Sequence, residues 1–201
     1  MQFSAQYQQT PVPAGGTFIK RTWLKSYSAS EISSQPRDRI VISWDIALSE
    51  AQTGDSSAGV VLLNRGDKFY VLEVAKGQFP FGRLISKILD MSKRYLGSTL
   101  LIEESPISLG LIQALRENNI NVVTVKPTKD KVSRVISQSA FLEGGSVLFP
   151  ERAEWLGDFI GELLSFPGGR HDDQVDALVQ GLAYQRGQWL RTYRVRPNTF
   201  Y

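Results

Sequence analysis

From Arg39 onward the chain alternates short apolar runs with longer segments of helical period, and the order of these patterns is its tightest constraint on fold. Residues 40–44, IVISW, are mostly β-branched or aromatic and predict a buried strand opening at Arg39. GDSSAG then reads as a turn. AGVVLLN and KFYVLEVAK follow, parted by Arg65-Gly66-Asp67, and predict two antiparallel strands joined by a hairpin. Phe81 to Leu96 sets Leu84, Ile85, Ile88, Leu89 and Met91 at helical spacing. Thr99 to Ile102 reads as a fourth strand ending in Glu103-Glu104, Ile107 to Asn118 as a helix, and NVVTV as a fifth strand. Lys129 to Leu142 predicts a helix stopped by Gly144-Gly145. SVLFP is a short apolar run. Glu151 to Leu164 and Asp172 to Leu190 predict two closing helices.

A meander of three strands followed by alternating strands and helices predicts an α/β layered domain with a mixed sheet flanked by helices. Five strands in this order suggest the ribonuclease-H-like arrangement, although order alone leaves other α/β folds open. The 201 residues suit about one domain. Residues 1–38, with the Gln-, Pro- and Gly-rich QYQQTPVPAGG, read as an extended lead-in; residues 39–190 form the domain, and 191–201 a basic tail. No apolar run approaches the roughly 20 residues that span a bilayer, and Met1 to Thr10 is polar, unlike a signal peptide.

Composition removes much chemistry. The absence of cysteine excludes disulfide scaffolds, thiol nucleophiles, zinc fingers and iron–sulfur clusters. A single histidine, His171, excludes paired-histidine metal sites. Lysine and arginine number 23 against 20 acids, a net charge of +3 that permits an anionic partner without demanding one.

The remaining chemistry is acidic. Asp45 ends the first strand, where a carboxylate interrupts an apolar run; such a group is paired, caps the next turn, or binds a cation. Glu103 and Glu104 end the fourth strand, and alternation sends one to each face. Glu103 is the candidate to meet Asp45, with Glu104 left to cap the following helix. Asp172, Asp173 and Asp176 open the last helix. Asp172 and Asp176 are four apart and share a face, where like charges repel unless a cation lies between them; Asp173 points elsewhere. A dipole-stabilised acidic first turn accounts for one or two of these aspartates more readily than three. Carboxylates at two strand ends and a helix start suit hard cations such as Mg²⁺ or Mn²⁺. Two such ions roughly 3.5–4 Å apart activate water and stabilise the leaving oxygen in phosphodiester hydrolysis.

SWDIALS, LLIEESPISLGLIQAL, the stretch from Lys126 to Pro150, and FPGGRHDDQVDALVQGL together resemble the C-terminal nuclease domain of the large terminase subunit of tailed bacteriophages. QYQQTPVPAGGTFIKRTWLKSY is similar to that family's segment joining motor to nuclease. The resemblance implies a ribonuclease-H-like, two-metal endonuclease that cuts double-stranded concatemeric DNA during genome packaging. It implies catalytic roles for Asp45, Glu103 and Asp172, with Asp173 and, less directly, Asp176 as further metal ligands. It implies as partners an ATPase domain, a small terminase subunit and the portal. It also implies residence in the cytoplasm of the infected bacterial host and absence from the mature virion. No GxxxxGK[ST] stretch occurs, so no ATPase activity is expected of this sequence, which the resemblance makes an excised nuclease part with Met1 an added start.

Lys126, Lys129, Lys131 and Arg134 follow the fifth strand and either hold DNA phosphates or form a solvated helix face. His171 is either a proton shuttle beside the metals or a surface histidine. The arginine-rich tail either touches DNA or portal or is a loose end. Two other functions fit less of the sequence. A Holliday-junction resolvase of the same fold usually begins at its first strand, and a non-catalytic portal or DNA docking module has no need of a full set of acids.

Overall fold

The computed structural model describes residues 18–33, 35–36, 38–47, 56–106, 108–126 and 130–194, with side chains up to residue 187. Seven strands and five α-helices follow one another there: β1 (Lys25–Tyr27), β2 (Arg39–Asp45), β3 (Ser57–Arg65), β4 (Lys68–Gly77), α1 (Phe81–Arg94), β5 (Thr99–Glu103), α2 (Ser108–Glu117), β6 (Val122–Val125), α3 (Lys131–Glu143), β7 (Val147–Pro150), α4 (Leu156–Ser165) and α5 (Asp173–Arg194). The strands form one mixed sheet in the order β1-β7-β4-β3-β2-β5-β6. β2, β3 and β4 pair antiparallel, and the outer pairs β2–β5, β5–β6, β4–β7 and β1–β7 are parallel.

Side-chain alternation splits the sheet's two faces into two cores. Ile42, Trp44, Val61, Leu100 and Ile102 pack against Leu84, Ile88 and Met91 of α1 and Leu111 and Leu115 of α2. Val60, Leu62 and Val71 pack against Phe159 and Leu163 of α4 and Val175, Leu178 and Leu182 of α5. Sandwiched between both layers, β3 is buried along nearly its whole length. α5 lies close over β2 and β3 because Gly181 allows it: a Cβ there would come within 2.6 Å of Leu62 Cδ1 and 3.2 Å of Ser43 Cβ. One residue earlier, Gln180 Nε2 donates to Ser43 Oγ (3.0 Å) and to the Trp44 carbonyl (3.2 Å), tying α5 to the end of β2. After α3 the chain turns with Gly145 at φ +65°, a conformation that suits glycine at a helix end.

Three features depart from the sequence reading. First, a strand and a buried residue precede Arg39: β1 pairs β7 at a sheet edge, Ile19 is fully buried, and the Tyr27 hydroxyl donates to the Val71 carbonyl at 2.9 Å, so residues 18–33 pack on the sheet. Arg65, beside the hairpin turn, fastens this segment. Its guanidinium grips the Asp38 carboxylate (2.9 and 2.8 Å) and donates to the carbonyls of Glu31 (3.1 Å) and Ser33 (2.6 Å). A three-residue strand has no period of its own; only its non-local partner reveals it. Second, α4 begins at Leu156 rather than Glu151, because the Glu151 N–H still bonds the Tyr27 carbonyl (3.0 Å), prolonging the β7–β1 pairing. Third, residues 191–194 continue α5. Residues 1–17 and 195–201, with all of QYQQTPVPAGG and the end of the basic tail, lie outside the described residues.

Candidate active site

β2 and β5 run side by side and parallel, with Trp44 opposite Ile102, so Asp45 and Glu103 end adjacent strands at the same pole. Trp44 and Ile102 face α1 and α2, and alternation turns Asp45 and Glu103 to the other face, towards α3 and α5. Glu104 points away. It lies 3.7 Å from Lys126, and the turn before α2 is closed by Ser105 and Ser108 instead of by Glu104 (Ser108 N to Ser105 Oγ, 3.2 Å). α5 starts at this same pole. Asp172 sits just before it, its carbonyl accepting the Asp176 N–H at 2.9 Å, and Asp173 and Asp176 occupy the first turn.

The electrostatics show which acids converge. Burial pushes the Asp45 carboxyl up to about 7; repulsion from Asp176, Glu103 and Asp173 adds to the shift and Lys131 opposes it. Burial also raises Asp173 to about 6, aided by Glu162 and Asp172 and opposed by Lys76 and His171. Asp176 is raised too, chiefly by burial, against the pull of Lys131 and Arg134. The group around Asp45 therefore comprises Glu103, Asp173 and Asp176, while Asp172 stands at the rim, 32% exposed where Asp176 is 9%.

Two basic side chains of α3 reach into this group. Lys131 Nζ lies 2.5 Å from both Asp172 Oδ1 and Asp176 Oδ2, supplying the cation that two like charges one turn apart require. Burial disfavours the ammonium, but these two carboxylates outweigh it and hold its pKa above the ordinary lysine value. Arg134 Nη1 donates to Glu103 Oε2 at 2.6 Å, and Nη2 lies 3.6 Å from Asp176 Oδ1. Of the four basic residues singled out in the sequence, Lys131 and Arg134 are thus paired with acids, Lys126 is exposed at the rim beside Glu104, and Lys129 lies outside the described residues. His171 is exposed at the approach to Asp172.

Below the cluster lies a buried acid that the sequence reading missed. Glu162 of α4 accepts the backbone N–H groups of Gln174 (2.6 Å) and Val175 (3.3 Å), so it caps α5; it also accepts Gln174 Nε2 (2.6 Å) and Lys76 Nζ (2.8 Å). The signal was an acid three residues from Phe159, on the apolar face of α4.

The donors are all oxygens, which suits hard divalent cations. Asp173 Oδ2 and Asp176 Oδ1 are buried without a hydrogen-bond partner among the described residues, although Arg134 Nη2 lies 3.6 Å from the latter; Asp173 Oδ2 is thus the acceptor most open to a cation. As the side chains stand, no three of the described His, Cys, Asp or Glu residues are grouped closely enough to grip one metal ion. The acids fit such an ion in kind, and Lys131 and Arg134 stand drawn in among them.

A family model described as the terminase RNaseH-like domain matches residues 42–185. Solved structures share the fold. The large terminase nuclease of thermophilic phage G20c with bound magnesium superposes with a TM-score of 0.65 at 16% identity, over 85% of this chain and 98% of that one. The nuclease domain of the Thermus phage P74-26 large terminase gives 0.59 at 15% identity, over 82% and 92%. The large terminase of another thermophilic bacteriophage gives 0.55 at 12% identity, over 73% of this chain but 40% of its own. The G20c nuclease has also been solved with zinc and with cobalt. No curated protein sequence matches. The fold is therefore the ribonuclease-H-like one, a mixed sheet between helical layers.

Proposed function

The chain belongs to the terminase RNaseH-like domain family, and on that premise we propose that it is a divalent-metal-dependent endonuclease that cuts double-stranded viral DNA during genome packaging. One observation carries the reading: β2, β5 and α5, far apart in sequence, bring Asp45, Glu103, Asp173 and Asp176 to one pole, where burial and mutual repulsion raise Asp45 to about 7. A cluster of buried acids that repel one another is poorly stabilised without cations.

In this mechanism Asp45, Glu103, Asp173 and Asp176 hold Mg²⁺ or Mn²⁺, two ions in the fullest form, with Asp172 at the rim as a further ligand. Bound there, the ions supply the activation of water and the stabilisation of the leaving oxygen. The chain does the rest. Gln180 and Glu162 fix α5 against β2 and α4, so that Asp176 and Asp173 keep their place opposite Asp45. The exposed ammonium of Lys126, with Lys129 beside it in sequence, meets backbone phosphates. His171, beside Asp172, carries a proton between the site and solvent. In the packaging reaction the partners are an ATPase domain, a small terminase subunit and the portal, in the cytoplasm of the infected bacterium. On this reading the nuclease part includes residues 18–33 as well as 39–190, since β1 pairs β7.

The test is incubation of the purified chain with plasmid and with branched DNA, in Mg²⁺, in Mn²⁺ and in EDTA, beside Asp45→Asn. Metal-dependent cutting of the plasmid that Asp45→Asn loses is the expected result. Full cleavage by Asp45→Asn would overturn the site.

A further inference from the structure

Lys131 is the first residue of α3, where the helix's positive end disfavours a cation. It is nonetheless half-buried, and its ammonium stands 2.5 Å from carboxylate oxygens of both Asp172 and Asp176. α3 starts independently of this pair: Asp130 caps it by accepting the Ser133 N–H at 2.9 Å. What holds Lys131 inward is therefore the acid cluster itself. We propose that the Lys131 ammonium is a built-in cation occupying part of the metal site, and that its ion pair with Asp172 and Asp176 and the binding of a divalent cation at those acids are mutually exclusive. The inference rests on the metal-site reading of the cluster.

The chemistry of the two basic side chains separates their parts. An ammonium is a compact point charge on a flexible four-carbon stem, so it can withdraw without disturbing the helix that carries it. Its place between two carboxylates is the place a hard cation would take, since both are served by oxygen donors of opposite charge. Arg134 is different. Its planar fork bridges Glu103 at 2.6 Å and Asp176 at 3.6 Å, and its Nε is buried without a partner among the described residues, so it is lodged in the protein and stays as a fixed brace. Two consequences follow. The metal-free acids are held together by Lys131 rather than flying apart. A divalent cation must displace an ammonium to bind, which weakens its apparent affinity and leaves the site quiet when metal is scarce, because a competitor bound in the same place lowers apparent affinity by mass action.

Calorimetric titration of the full chain with MnCl₂, without DNA, compares wild type with Lys131→Met, Lys131→Gln and Asp45→Asn. Removing the competitor is expected to tighten Mn²⁺ binding by roughly tenfold or more in both Lys131 variants. Their metal-free melting temperature is expected to fall, and their gain on adding Mn²⁺ to exceed that of wild type. Wild type offers a readout without mutation: the Lys131 ammonium resonance, sharpened by its ion pairs, should shift or vanish as MgCl₂ is added. Unchanged or weaker Mn²⁺ binding in the Lys131 variants, or an ammonium resonance indifferent to Mg²⁺ while the wild type binds the metal, would overturn the inference alone. A wild type whose Mn²⁺ binding is absent, or is unaltered by Asp45→Asn, would overturn the metal-site reading and this inference with it.

Discussion

A free aspartate titrates near 3.9, and Asp45 is raised to about 7 by burial and by three neighbouring acids. Between those values the native state keeps a proton that the unfolded chain has released, so the metal-free protein loses stability as pH rises through that window. Asp45→Asn removes this penalty. In EDTA near pH 8 the variant should be more stable than wild type by on the order of 1–3 kcal/mol, and the two should converge near pH 4. Thermal melts at both pH values check this, and a variant that melts lower near pH 8 would contradict it. The same substitution should abolish metal-dependent cleavage. Asp45 and Glu103 were legible in the sequence because each ends an apolar strand with a charge, and alternation then chooses Glu103 over Glu104. Lys131 and Arg134 were legible as basic residues only. Their acid partners come from β5 and the start of α5, and no local spacing announces an ion pair between elements so far apart in the chain.

At the scale of elements, the start of α5 depends on α4. Glu162 satisfies two backbone N–H groups of α5 and neutralises Lys76 within a buried setting. Truncation to Glu162→Ala leaves those donors unpaired and the Lys76 ammonium with only the exposed Asp158 carboxylate at 3.3 Å, and should cost about 2–4 kcal/mol. The double variant Glu162→Ala/Lys76→Met should cost less than the sum of its parts, because it removes the stranded charge as well. Urea unfolding of all four proteins measures the coupling; strictly additive losses would mean that the pair is incidental. Most elements could be read before the structure, since α1, α2, α3 and the β3–β4 hairpin carry their own period or turn chemistry. β1 could not, because three residues have no period, and the start of α4 could not, because pairing with β1 sets it.

For the molecule as a whole, residues 18–33 pack on the same sheet as the rest of the described residues, fastened by Arg65. Arg65→Ala should cost about 1–2 kcal/mol and expose residues 18–33 to protease before the rest unfolds; equal protease resistance would show that β1 and Ile19 suffice. Net charge of +3 with no base-reading element among those described predicts DNA binding that falls steeply as salt rises and cleavage scattered along the substrate. Anisotropy titrations over a salt series and end-mapped digests check both, and discrete cuts at one sequence would overturn the second. The three-layer architecture was legible from the order of strands and helices, whereas the outer β1–β7 pair was not. Joining β2 to α5 has a consequence in time. The acids of the cluster come from an early strand and from the last described helix, so the cluster exists only after a loop spanning most of the body has closed. Long-range closures of this kind are slow steps in folding. A partly synthesised chain that lacks α5 carries Asp45 and Glu103 but not Asp173 and Asp176, and so lacks half of the proposed cation site. On refolding, Mn²⁺ binding should trail the recovery of secondary structure, so that on the proposed reading the capacity to cut DNA would be the last property to appear.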